Sequence, residues 1–176
     1  MVKNDFYWGA STSAFQVEGG FGEGGKGVAT TDVRKVPEGI ADSKIASDHY
    51  HHMLEDIDLM EELGINLYRF SFNWTRVMGD GMEPNQEGIK FYNQLIDACI
   101  EKGITPFPTL YHFEMPQALV TEFGGWKSRK CIDRFVEYAE VCFQNFGDRV
   151  KLWGTINEQL IVSAASDLNG NRETNT

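Results

Sequence analysis

Apolar residues fall into four short segments separated by three longer stretches of helical spacing. The segments at residues 6–12, 66–72, 105–111 and 150–156 predict strands. In the first long stretch Tyr50, Leu54, Ile57, Met60 and Leu63 recur every three or four residues; Ser47 is a candidate N-cap, and Gly64 supplies a stop. Ile89, Tyr92, Ile96, Cys99 and Ile100 mark a second helix that ends at Gly103. Ile132, Phe135, Val136, Ala139, Cys142, Phe143 and Phe146 mark a third, ending at Gly147. Strands that alternate with helices predict parallel βαβ units, with Phe70, Phe107 and Trp153 expected on the sheet's inner face. A further helix is expected after Glu158, then a turn at residues 167–171 and a frayed tail at 172–176. No linker interrupts this pattern, so residues 1–176 read as one domain.

Composition narrows the partners. A hydrophobic content of 41% with 24% charged residues is that of an ordinary globular chain. Its 22 aromatic residues (12 Phe, 6 Tyr, 4 Trp) suit a core and also suit stacking on sugars. A net charge of −10 argues against nucleic acid and against anionic membranes, yet leaves room for a local cationic pocket. Met1-Val2-Lys3-Asn4-Asp5 has no apolar signal core, and no apolar run approaches the roughly twenty residues of a membrane span. Cys99, Cys131 and Cys142 fit neither zinc spacing nor a closed disulfide set, so buried reduced thiols and a cytoplasmic location are expected.

The chemistry-bearing motifs are fewer. Gly20-Phe21-Gly22-Glu23-Gly24-Gly25-Lys26-Gly27 approaches a phosphate loop, but Gly27 stands where Ser or Thr is needed and no helix opens behind it. It reads instead as a mobile loop at an active-site mouth. His49, His51 and His52 cluster at a helix start; His49 and His52 could share a metal, but no third ligand is spaced for it, and hydrogen-bonding histidines are the simpler reading. Arg69 interrupts an apolar strand. It either pairs structurally with Asp56 or Asp58 or aims into a mouth to hold a carboxylate. His112, directly after the third strand, suits a sugar hydroxyl or a hydrogen-bonded loop. Asn157-Glu158 closes the fourth strand, and in a β/α barrel that end faces the active site.

Together these segments resemble glycoside hydrolase family 1. Phe6-Tyr7-Trp8-Gly9-Ala10-Ser11-Thr12-Ser13-Ala14-Phe15-Gln16-Val17-Glu18-Gly19 is similar to the family's opening signature. Tyr68-Arg69-Phe70-Ser71-Phe72-Asn73-Trp74-Thr75-Arg76, the segment 111–119, Gly124-Gly125-Trp126 and Thr155-Ile156-Asn157-Glu158 follow in the family's order. The version His112-Phe113-Glu114-Met115-Pro116, with Gly124-Gly125-Trp126-Lys127-Ser128-Arg129-Lys130, resembles the 6-phospho-β-glucosidase branch.

The resemblance implies an α/β fold, the N-terminal half, about (βα)4, of a TIM (β/α)8 barrel. It implies a retaining β-glycosidase acting on a β-glucoside or 6-phospho-β-glucoside, without cofactor or metal. Glu158 would be the acid/base, Asn157 would bind the sugar 2-hydroxyl, Gln16 and His112 would hold other glycone hydroxyls, and Arg69 would support the nucleophile. Such enzymes need two carboxyl groups about 5–5.5 Å apart. The family's nucleophile follows its seventh strand, so no residue here carries that role, and neither does the 6-phosphate grip of the phospho-specific branch. The chain alone is therefore expected to be inactive. Two alternatives stand beside an enzyme: a sugar-binding half barrel without catalysis, and a structural remnant that self-associates. Open edges at the first and fourth strands are expected to favour a homodimer.

Overall fold

The computed structural model describes residues 6–163; residues 1–5, the expected turn at 167–171 and the tail at 172–176 lie outside it. Four parallel strands form one sheet in the order β1 (Gly9–Ser11), β2 (Leu67–Ser71), β3 (Thr105–Tyr111) and β4 (Gly154–Ile156). Ser11 registers with Arg69, Arg69 with Phe107, and Tyr111 with Ile156. Short helices α1 (Ala14–Val17), α3 (Trp74–Met78) and α5 (Gln117–Phe123) follow the first three strands directly, and long helices α2 (His49–Glu62), α4 (Gln86–Glu101) and α6 (Arg129–Phe146) return the chain. This is an α/β partial barrel of four β/α units. A fourth helix opens after Glu158, as expected, and residues 159–163 are its described part.

The core lies between sheet and helices. Phe72 stacks on Phe146 at 4.9 Å and meets Tyr92 edge-on at 4.7 Å, while Trp74 stacks on Tyr138 at 5.0 Å. Strand side chains alternate between faces. Phe70 packs with Tyr68 and Phe72 on the helix side, and Trp153 packs on Phe143 of α6. Both therefore leave the inner face on which they were expected. Only Phe107, in register with Arg69, shares that face.

The strand ends and helix faces also differ from expectation. Phe6, Tyr7 and Trp8 precede β1, each more than half exposed; Trp8 is tied to Asn66, whose amide oxygen accepts its N–H. Residues 150–153 stay outside β4 because the Val150 N–H still donates to Phe146 O, extending the end of α6. On α2 the buried residues are His49, Met53 and Ile57; of the expected stripe Ile57 is buried, Tyr50 and Met60 pack half-buried against the core, and Leu54 and Leu63 face outward. The helix is turned so that His49 can reach Asp56 at 2.5 Å and lie edge-on to Tyr68. No side chain caps α2: Asp48, not Ser47, precedes it, in the left-handed region. Ile100 on α4 and Ile132, Val136 and Phe143 on α6 are likewise exposed.

Candidate functional site

Parallel strands place all their C-terminal ends on one rim. Gln16 follows β1, His112 follows β3, and Asn157 and Glu158 follow β4, so the four candidate residues rise from the same side of the sheet. Arg69, inside β2, points across it: Nε donates to Thr109 Oγ1 at 3.0 Å and Nη2 donates to Asn157 Oδ1 at 2.8 Å. Gly154 makes room for this, because a Cβ there would lie 2.8 Å from Thr109 Oγ1. The expected alternative pairing does not form. Asp56 holds His49 and Asp58 holds Lys102 at 2.7 Å, and among the described residues Arg69 has no carboxylate partner. A guanidinium that meets only neutral acceptors keeps donors suited to a carboxylate.

His112 is half-buried, and its Nδ1 is buried without a partner among the described residues. Burial, then the charge of Arg69, lowers its pKa to about 4, so the ring is neutral at pH 7 and can serve as donor or acceptor to a hydroxyl. The Phe15 ring centroid lies 6.2 Å from that of His112, which sets Gln16 beside the His112 segment. Gln16 is exposed, its Oε1 accepting from Ser13 Oγ at 2.6 Å. Glu158 is exposed at the rim, one residue beyond the buried Asn157. Two non-glycine residues here, Phe113 (φ 68°) and Glu158 (φ 48°), occupy the left-handed region. Such conformations cost roughly 1–3 kcal/mol and cluster at functional sites.

Beneath the rim runs a buried polar network that sequence reasoning missed. Arg76 Nε donates to Glu18 Oε2 at 3.0 Å, and Tyr92 donates to Glu18 Oε1 at 2.5 Å. The Asn73 backbone N–H donates to the Tyr92 hydroxyl at 2.7 Å, and Asn73 Nδ2 donates to Glu114 Oε1 at 2.6 Å. Burial, then the charge of Glu18, raises the Tyr92 and Glu114 pKa values well above their ordinary ranges. Arg76 and Glu114 could have been flagged by the argument applied to Arg69, a charge set among apolar neighbours.

The remaining motifs are structural. The glycine-rich segment is fastened to the body: Gly27 N–H donates to Thr75 O at 3.0 Å, Asn85 Nδ2 to Gly24 O at 2.7 Å, and Lys26 pairs with Asp32 at 2.6 Å. His51 bonds Asp48 and Glu23, and His52 bonds Glu55. No group of three His, Cys, Asp or Glu among the described residues is arranged to hold a metal. Cys99, Cys131 and Cys142 are buried and free. None of the described helices is long and apolar enough to cross a membrane.

Residues 1–172 match the profile of glycosyl hydrolase family 1. Beta-glucosidase 42 of Arabidopsis thaliana is 50% identical over 164 residues, covering 90% of this chain and 34% of that protein. A rice protein named probable inactive beta-glucosidase 14 is 44% identical over 172 residues, covering 94% of this chain and 33% of its own length. The crystal structure of another rice β-glucosidase superposes with a TM-score of 0.87 at 43% identity, covering 91% of this chain and 34% of that one. The chain thus spans about a third of the length of the relatives it matches.

Proposed function

The chain belongs to glycosyl hydrolase family 1, and from that premise we propose that it forms the acid/base side of a retaining β-glucosidase site. Glu158 protonates the departing glycosidic oxygen and then activates water. Asn157 holds the 2-hydroxyl, whose hydrogen bonds strengthen as the oxocarbenium-like state forms. Gln16 and neutral His112 orient other glycone hydroxyls. Arg69 keeps a place for the nucleophilic carboxylate, which another segment must supply. The observation that carries this reading is Arg69 held toward Asn157 at 2.8 Å with no acid of its own among the described residues.

In a polypeptide that carries this chain and turns over, Glu158→Gln is expected to slow aryl β-glucoside hydrolysis by 10²-fold or more, and least for the best leaving groups, which need little acid help. An equal loss for all leaving groups would contradict the acid role. The 176 residues by themselves are expected to show no turnover, because the covalent step needs the second carboxylate.

A 6-phospho-β-glucoside is the second reading of the substrate, favoured by the His112–Pro116 and Gly124–Lys130 motifs. The similar proteins are named as plain β-glucosidases, which supports the unphosphorylated sugar. The ratio of kcat/KM for an aryl β-glucoside and its 6-phosphate decides between them. A non-catalytic sugar-binding role is supported by the rice relative named as inactive, and saturable glucose binding without turnover would favour it. Self-association through the sheet edges is supported by β1 and β4, each of which pairs on one side only among the described residues. Sedimentation equilibrium showing only a 19.9 kDa species at micromolar concentration would end that part of the proposal. A reducing, cytoplasmic setting is the reading that three buried free thiols support.

A further inference from the structure

We propose that Glu114 is a positioning residue: through Asn73 and Tyr92 it locks the loop after β3, which carries His112, to the loop after β1, which carries Gln16. The inference takes its functional meaning from the sugar site proposed above.

The geometry makes one side chain answerable for two loops. Phe113, in the left-handed region, reverses the chain between His112 and Glu114, so that Glu114 points into the body and is only 2% exposed. There Oε1 accepts from Asn73 Nδ2, while the same Asn73 is fixed by Thr75 N–H and Thr75 Oγ1 at 3.0 and 2.7 Å. The Asn73 backbone hands the connection to Tyr92, and Tyr92 hands it to Glu18, two residues beyond Gln16. The Phe15 backbone N–H also faces Glu114. The segment after β1 also meets this loop further along the chain, where Thr30 N–H donates to Met115 O and Gln117 N–H donates to Val28 O, both at 2.8 Å; next to Gln16 itself the contact is the loose ring pair Phe15–His112.

Glu114 also meets a chemical condition for a neutral anchor. Its Oε2 is buried with no partner among the described residues. A carboxylate in that position would leave a charge facing Glu18 and Asp32, offset in part by Lys26 and the Phe15 N–H. A neutral acid makes the same Asn73 hydrogen bond without that cost. Glutamine has the shape and acceptor of that acid, whereas alanine removes the anchor and aspartate withdraws it by one methylene.

The test reads His112 itself, by long-range ¹H–¹⁵N NMR of its imidazole against pH in the 176-residue chain, with circular dichroism as the control for folding. Wild type and Glu114→Gln are expected to titrate alike, near pH 4. Glu114→Ala is expected to titrate nearer the ordinary 6.5 with circular dichroism unchanged, because the freed loop admits water to the ring. If the alanine variant does not fold, Glu114→Asp takes its place with the same expectation. A folded alanine or aspartate variant whose His112 midpoint does not move overturns the proposal. So does a glutamine variant that unfolds or shifts the midpoint by a unit. No sugar enters the measurement, so a failed turnover assay leaves this inference standing, and an unmoved His112 removes it alone.

Discussion

Removing the carboxylate of Glu18 is expected to be among the most damaging single changes in this chain. Arg76 is fully buried, and Glu18 is 4% exposed. Their 3.0 Å contact is the one ion pair Arg76 makes among the described residues. Its other neighbours include Gly19 O at 3.1 Å, Glu23 O at 3.5 Å and the faces of Tyr50 and Phe91, at 4.1 and 5.4 Å. Glu18→Ala leaves the guanidinium buried with carbonyl and aromatic partners only. It also strips the acceptor from Tyr92, whose phenol burial keeps protonated. Breaking a buried pair from one side costs about 3–5 kcal/mol, and a lost acceptor for a buried hydroxyl adds about 1–3 kcal/mol. For a chain of this size the pair alone corresponds to a fall in Tm of roughly 6–20 °C, at about 2–4 °C per kcal/mol. The contrast is Glu18→Leu combined with Arg76→Met, which removes both charges and refills the volume. Because a buried ion pair often breaks even against apolar side chains, the double variant is expected to recover most of the loss, giving a strongly favourable coupling in the double-mutant cycle. Urea unfolding at pH 7 of the two singles and the double measures it. A Glu18→Ala loss below about 1 kcal/mol, the scale of an exposed pair, or strictly additive singles would refute the view that the pair is desolvated.

Three further outcomes follow from other parts of the structure. The folded His112 is a weaker base than the unfolded one, so the unfolded state binds more protons between pH 6.5 and about 4, and stability falls as pH falls through that window. Because Glu114 acts with the opposite sign, the effect is read as wild type minus His112→Gln, a difference expected to be flat above pH 6.5 and to shrink below it; a pH-independent difference would contradict it. Gly88 lets α4 press on α3, since a Cβ there would lie 1.8 Å from Arg76 O. Gly88→Ala is therefore expected to lower the urea midpoint by an amount worth about 1–3 kcal/mol, despite the better helix propensity of alanine. Burial pushes the Cys99 thiol up to about 12 and raises Cys131 and Cys142 as well, so an aromatic disulfide reagent at pH 8 is expected to titrate the three thiols only after unfolding.

What the sequence showed and hid follows from how each residue is used. The third strand, Thr105–Tyr111, was legible to the residue, because it pairs with strands on both sides. The outer strands β1 and β4 were overread, because each pairs on one side only and an apolar run does not tell a paired residue from one that packs beside the sheet. Trp153 is the clearest instance: its ring belongs to α6 through Phe143, not to the sheet's inner face. The helix stripes were misphased where a polar residue occupies the core. His49 is buried on α2 because Asp56 bonds it, and no hydrophobic period can contain that residue.

The candidate site was legible as positions but not as connections. Glu158, Asn157 and His112 were candidates because each closely follows a strand, and Gln16 because of the family resemblance. The side chains joining their loops, Glu18, Asn73, Tyr92, Arg76 and Glu114, lie between 3 and 96 residues apart in sequence, and only folding brings them together. Arg69 shows where the two kinds of reasoning meet. Sequence alone left it between a helix aspartate and the mouth. The structure decides, because both aspartates are already occupied by a histidine and a lysine. A half-buried arginine bonded to a threonine and an asparagine, with neither helix aspartate as a partner, is held there by geometry rather than by charge. That arrangement is stable only if the guanidinium stays partly hydrated or gains a carboxylate from elsewhere, and the half-buried Arg69 is compatible with both. On the function proposed above, its donors mark where the second acid arrives.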